Sequence, residues 1–186
     1  KYRPRKNKDK RLVLFASRLL ISKGIKDFID SSKYFSDAKF VVSGKFDFEN
    51  PDCIDPEYIY ENQEKGLIEY WGENEDMEKI INKSSVVVLP SYYGEGLPKI
   101  LIEAAACGKP IVTTNHPGCR EAIINRKTGF IVPIKNPKIL SKYIKKILDN
   151  EELRMDMGKE ARILAKRKFS IDEVVEKHLT IYSSIL

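Results

Sequence analysis

No apolar run in these 186 residues approaches the roughly 20 needed to span a bilayer, and no signal-peptide pattern opens the chain. Histidine is scarce: His116 lies in a turn and His178 near the end, and neither can be joined to a Ser-His-Asp or Cys-His set. Hydrolase chemistry therefore has no support, and a lone loop histidine is more often incidental than catalytic. The three cysteines, Cys53, Cys107 and Cys119, show no metal-ligand spacing, so no metal site is expected. Their odd number argues against a disulfide framework and fits a reducing cytoplasm; Cys107, in an apolar run, reads as a small core residue. Internal repeats are absent, and so is low-complexity sequence beyond a basic start.

What is present suits a soluble globular domain: 42% hydrophobic and 32% charged residues, in a length able to bury a core. The net charge of +6 is partly local, because Lys1, Arg3, Arg5, Lys6, Lys8, Lys10 and Arg11 crowd the first residues. Such an arm suits an anionic membrane or nucleic acid. Without interleaved aromatics, residues 1–10 read instead as a solvated linker, with no nucleic-acid partner expected. The chain does not begin with Met, as a processed product or a piece of a longer protein would not.

From residue 11 to about 132, strand-like and helix-like segments alternate. Strands are expected at Arg11 to Ser17, Lys39 to Ser43, Leu67 to Trp71, Ser85 to Leu89, Pro110 to Thr114 and Gly129 to Val132. Helices are expected at Gly24 to Phe35, Tyr58 to Lys65, Asp76 to Asn82, Pro98 to Cys107 and Arg120 to Asn125. Continuous apolar strands between helices point to a parallel sheet covered on both faces. Right-handed crossovers make it an α/β, doubly wound, Rossmann-like sandwich of about six strands. Residues 11–186 form one domain, closed by C-terminal helices. Asn136 and Pro137 cap the first, Glu151 to Lys168 form the second, and a capping box at Ser170 to Glu173 opens the third. The third helix carries an apolar stripe of Ile171, Val174, Val175, Leu179, Tyr182 and Leu186, which needs a surface to cover.

In such sheets ligands sit beyond the carboxyl ends of the strands. Arg18 and Lys23 flank the loop after the first strand, where two cations suit a diphosphate; they also read as ordinary surface bases. In Gly94-Glu95-Gly96-Leu97-Pro98-Lys99 the glycines allow close approach of a ligand to the backbone. Pro98 fits the first helical position, leaving the surrounding amides to hold an anion at the helix N-terminus. Glu103 is the one charge between Lys99 and Lys109, on a helix apolar enough to be largely buried, so its carboxylate must find donors. Vicinal ribose hydroxyls would serve, as would an internal amide or Arg. Glu95 sits in the turn, nearer to where a sugar would lie. Trp71 and Gly72 end a strand and could flank a nucleobase, although Trp71 equally suits the core.

The run PSYYGEGLPKILIEAAACGKPIVTTNHPGCREAI, with seven residues between Glu95 and Glu103, closely resembles the signature of the family 4 retaining glycosyltransferases, which have the two-domain GT-B fold. The segments RLLISKG, SVVVLPS, GFIVP and FSIDEVVEKHLTIYSSIL follow in the family's order. The resemblance implies the C-terminal, donor-binding half of such an enzyme, inactive by itself. Arg18 and Lys23 would hold the donor diphosphate, Glu95 the transferred sugar and Glu103 the ribose. Amides at Gly96 and Leu97, followed by Pro98 and Lys99, would lie near sugar and phosphate, and Trp71 and Gly72 would wall the base. It further implies a UDP-linked donor, no metal or cofactor, and a lipid-linked or oligosaccharide acceptor held by a separate N-terminal domain. Such enzymes build bacterial surface polysaccharides at the cytoplasmic membrane face. Two departures stand out: Pro98 replaces a common Gly, and Ser17 replaces the Gly before the loop arginine. A non-catalytic nucleotide-sugar-binding domain is the alternative; a sugar-nucleotide epimerase shares the fold, but RLLISKG and the Glu pair argue against it.

Overall fold

The computed structural model describes residues 2–5, 11–94 and 96–185; for 171–174, 177, 184 and 185 only the backbone is described. Glu95, Lys1, Lys6, Lys8, Lys10 and Leu186 lie outside the described residues, as do the side chains of Ile171, Val174 and the expected capping-box Glu173.

Apolar runs four or five residues long, bounded by polar or turn residues, become five of the strands. They are β1 (Leu12–Ala16), β2 (Lys39–Ser43), β4 (Val86–Leu89), β5 (Ile111–Thr114) and β6 (Gly129–Val132), with a two-residue edge strand β3 (Glu69–Tyr70). All pairings are parallel, in the order β3-β2-β1-β4-β5-β6. Leu14 of β1 sits between Val41 and Val87, and β1 and β4 are buried along their whole length. Each such fully buried Val, Leu or Ile contributes about 1.5–3 kcal/mol. Among the described residues there are seven α-helices: α1 (Ile25–Ser32), α2 (Pro56–Glu64), α3 (Met77–Lys83), α4 (Lys99–Ala106), α5 (Pro137–Leu148), α6 (Glu151–Lys168) and α7 (Ile171–Ile185). Helix α1 packs beside α5, and α4 beside α3 and α6. The strand order reverses between β1 and β4, and there the loops diverge to leave a crevice.

Local chemistry sets most helix starts. Asn136 accepts from the Ile139 amide at 3.0 Å, and Asn150 from the Leu153 amide at 2.9 Å. Two expectations are corrected. Pro98 is the N-cap of α4, in extended conformation, rather than its first helical residue. The helix expected over Arg120 to Asn125 is one 3-10 turn, Arg120–Ala122. There the Thr128 hydroxyl accepts from the Ile124 amide and the Asn125 side chain from the Ile131 amide, local bonds that compete with a helix.

The basic start also differs from a solvated arm where it is described. The Arg5 amide donates to Asn82 at 2.8 Å, Asn82 donates to the Arg3 carbonyl at 2.9 Å, and Arg162 donates to the Tyr2 carbonyl at 2.9 Å. Residues 2–5 thus lie as a strap across α3 and α6. On α7, Val175, Leu179, Ile181 and Tyr182 are exposed. Among the described residues no helix is long and apolar enough to cross a membrane.

Candidate functional site

The loop after β1 is fixed from three sides. The Ser17 amide donates to the Ser43 carbonyl at 3.1 Å and the Leu19 amide to the Lys45 carbonyl at 3.0 Å, which lays this loop against the end of β2. Gly44 permits that approach: a Cβ there would stand 1.8 Å from the Ser17 carbonyl oxygen. Further on, the Asp52 carboxylate accepts from both the amide and the hydroxyl of Ser22. The Ser22 carbonyl accepts from the Tyr92 amide at 2.9 Å and the Ser91 hydroxyl at 3.3 Å, which ties the loop to the segment after β4. Gly24, at φ 81°, closes the turn against the Pro90 carbonyl.

This lacing brings one of the two loop cations to a tyrosine. Lys23 is buried, at 4% exposure, and its Nζ lies 4.5 Å from the centroid of the Tyr93 ring. Arg18 is half-exposed, and its guanidinium donates to Asp47 at 2.8 Å. The Asp47 bond is the main reason the Arg18 pKa is held above its ordinary value. Of the two bases that the sequence left open, Lys23 is plainly not an ordinary surface lysine.

The segment from Gly94 ends β4's excursion over the crevice. Gly94 and Gly96 are exposed, and a Cβ at either would meet nothing within 4 Å, so open space faces this turn. Leu97 packs against the core, Pro98 is buried, and Lys99 points outward. One turn along α4, Glu103 is buried at 7% exposure. Its carboxylate lies 3.6 Å from the Lys99 ammonium, and burial, then this carboxylate, hold the pKa of the nearby Tyr2 phenol above its ordinary value.

Arg18, Lys99 and Glu103 line one open cleft of about 410 Å³ at the carboxyl ends of β1 and β2. Tyr2, the Ser43–Lys45 end of β2 and the polar run Glu73, Asn74 and Glu75 complete the wall. The opposed charges, with Arg18, Lys45 and Lys99 facing Glu73, Glu75 and Glu103, suit a ligand that carries both an anion and hydroxyl groups. Lys23 does not line this cleft; its ammonium lies against the Tyr93 ring.

Trp71 does not line the cleft. Its indole donates to Glu69 at 3.0 Å and lies between the ammonium groups of Lys39 and Lys83, at 5.9 and 5.3 Å from the ring. Gly72, at φ 66°, contributes backbone instead: its carbonyl accepts from the Gly44 amide at 2.8 Å and the Ser43 hydroxyl at 2.9 Å. His116 is half-buried, with Nδ1 3.1 Å from the Pro117 carbonyl oxygen, and His178 is exposed beside Tyr182. Cys107 and Cys119 are buried, and Cys53 is half-buried. Among the described residues, no group of three His, Cys, Asp or Glu side chains could hold a metal ion.

Sequence reasoning passed over Tyr2, Lys45, Asp47 and Tyr93. The tyrosines carried a signal, since each is the polar-tipped aromatic of a glycine- or charge-rich segment. Their neighbours, Glu103 and Lys23, come together only through the crossover of β1 to β4.

The family described as Glycosyl transferases group 1 matches residues 1–164. The chain is 36% identical, over 97% of its length and 46% of the relative's, to the N,N'-diacetylbacillosaminyl-diphospho-undecaprenol alpha-1,3-N-acetylgalactosaminyltransferase of Campylobacter jejuni. It is 30% identical, over 96% of its length and 47% of the relative's, to the capsular polysaccharide biosynthesis glycosyltransferase CapM of Staphylococcus aureus. The chain thus spans about half the length of these relatives. Among solved structures, HepE of Anabaena in complex with UDP superposes with a TM-score of 0.85, at 19% identity, over 95% of this chain and 49% of that one. The C-terminal domain of the group 1 glycosyl transferase LpcC from Francisella tularensis gives a TM-score of 0.76 at 21% identity, over 91% of this chain and 96% of that one. The chain belongs to the glycosyl transferases group 1, and its fold is that of the C-terminal domain of a GT-B enzyme.

Proposed function

We propose that this domain binds a UDP-linked sugar as the donor half of a retaining glycosyltransferase. One observation carries the reading: a buried carboxylate, Glu103, and a guanidinium, Arg18, face a common cleft where the strand order reverses. Glu103 accepts from the ribose hydroxyls. Arg18 and Lys23 hold the diphosphate, with the amides that start α4 at its positive end. Fixed cations and dipoles stabilise the departing diphosphate without reorganising, which is the part of catalysis this half supplies. Glu95, with Gly96 and Leu97, keeps the sugar-side role that the family resemblance gives it. The base rests on the Gly72 to Glu75 segment rather than on the Trp71 indole.

The relatives support a wider reading. The Campylobacter relative is named for a diphospho-undecaprenol acceptor and the Staphylococcus relative for capsular polysaccharide biosynthesis. By the same token, the acceptor for this protein is a lipid-linked saccharide of a surface polymer, met at the cytoplasmic face of a membrane and held by a second domain.

Calorimetric titration of the chain with UDP, GDP and ADP tests the donor site. UDP is expected to bind, and Glu103→Gln is expected to weaken it about ten- to a hundredfold, the cost of a lost charge-assisted hydrogen bond. Absence of binding at millimolar UDP, or an unchanged affinity in the variant, would overturn the assignment.

A further inference from the structure

We propose that Asp47 is a positioning residue for the diphosphate: its carboxylate, standing outside the cleft, holds the Arg18 guanidinium at the cleft wall before a nucleotide arrives. The proposal rests on reading the cleft as the nucleotide site.

Arg18 lines the cleft and Asp47 does not. Between them, Nη1 of Arg18 donates to Oδ2 of Asp47 at 2.8 Å. The two side chains are 45% and 23% exposed, and an ion pair so open to water adds little to the stability of a fold. What it does fix is a rotamer. Arginine is long, and the freedom it gives up on meeting a phosphate counts against binding. A carboxylate already bonded to one of the five N–H donors removes part of that entropy loss in advance and leaves further donors for phosphate oxygens.

Asp47 can serve in this way because its own segment is held. The Asp47 carbonyl accepts from the Asn50 amide and the Asn50 carbonyl from the Cys53 amide, both at 2.9 Å. On one side of it the Lys45 carbonyl is bonded to the Leu19 amide. On the other, the Asp52 carbonyl accepts from the Ile21 amide at 2.8 Å, and the Ile54 amide donates to the Leu19 carbonyl at 2.9 Å. The rings that flank Asp47, Phe46 and Phe48, stack with centres 5.7 Å apart, and Phe46 meets Tyr70 edge-on at 5.6 Å. Arg18 and Asp47 thus belong to two stretches laced into one unit. Lys45 lines the cleft with Arg18, so the three charges together remain positive and still attract an anion.

Asp47→Ala removes the carboxylate and keeps every main-chain bond of the segment. Titration of this variant should show UDP binding weakened about three- to tenfold, with uridine bound as the wild type binds it. In an Arg18→Ala background the same substitution should cost nothing further. A loss for uridine equal to that for UDP, or an equal loss in the Arg18→Ala background, would mark Asp47 as a structural residue and overturn the proposal. Unchanged or tighter UDP binding in Asp47→Ala would overturn it as well. If Arg18→Ala still weakens UDP in that case, the donor-site reading survives; if the wild-type chain binds no UDP, both fall.

Discussion

Lys23 places its ammonium 4.5 Å from the centre of the Tyr93 ring, at a position only 4% exposed. A cation–π contact in so dry a setting is worth about 2 kcal/mol, enough to offset part of the cost of burying the charge. Tyr93→Ala is therefore expected to weaken UDP binding about tenfold while Tyr93→Phe, which keeps the ring over Lys23, changes it less than about threefold. Equal effects of the two substitutions would mean the ring is not what seats Lys23.

Removing the charges themselves should be selective. Arg18→Ala and Lys23→Met are each expected to lower UDP affinity by about ten- to a hundredfold, as loss of a charge-assisted contact does. Uridine, which lacks the diphosphate, should bind all three proteins alike. Titration of both ligands separates loss of a phosphate contact from general damage to the cleft.

Two glycine-to-alanine substitutions should part company. At Gly24, φ is 81° and a Cβ would lie 2.2 Å from the Pro90 carbonyl oxygen, so the joint between the β1 and β4 loops must open. Gly66 has a similar φ of 70° but open space around it. Chemical denaturation should give a loss of about 1 kcal/mol for Gly66→Ala, the left-handed strain alone, and at least about 3 kcal/mol for Gly24→Ala.

How far the sequence foretold this molecule depends on what decided each element. The strands Lys39–Ser43 and Gly129–Val132 and the helix Glu151–Lys168 match their expected bounds, because an apolar run or a cap such as Asn150 marks each locally. The strand expected from Leu67 shrinks to Glu69–Tyr70, since the Leu67 amide is taken by the Asn62 carbonyl in closing α2. Arg18 and Glu103 were legible as a cation at a strand end and a carboxylate in an apolar helix. The burial of Lys23 was not, because it depends on Tyr93, seventy residues later. Trp71 was ambiguous for a related reason: Lys39, Glu69 and Lys83, which hold its ring off the cleft, gather from three elements.

A second buried lysine gives the fold a pH signature. Lys109 donates to the carbonyls of Asn82 and Ser84, both at 2.8 Å, and burial lowers its pKa from 10.5 to about 8. Between those values the unfolded chain binds a proton there that the folded chain does not, so stability rises with pH. Relative to Lys109→Met, the wild type should gain about 1 kcal/mol between pH 7 and pH 9. At pH 7 the variant should already be about 2 kcal/mol less stable, with two buried carbonyls left unpaired. Urea denaturation at several pH values measures both effects.

The thiols offer a simple check on the packing. In the folded chain a thiol reagent at pH 8 should modify the half-buried Cys53 and spare Cys107 and Cys119. Cys107 is doubly protected, since burial pushes its pKa up to about 11. Mass spectrometry should find one modified cysteine before denaturation and three after it.

An all-parallel sheet also divides the molecule into a working rim and an idle one. Every strand of the order β3-β2-β1-β4-β5-β6 ends on the side of Arg18, Gly44 and the turn before Glu103. The turns that feed the strands, such as the one at Gly66, lie on the other side. A fluorophore, an affinity tag or an inserted reporter placed there would read the domain without standing in the ligand's way, and the fold itself marks where to attach it.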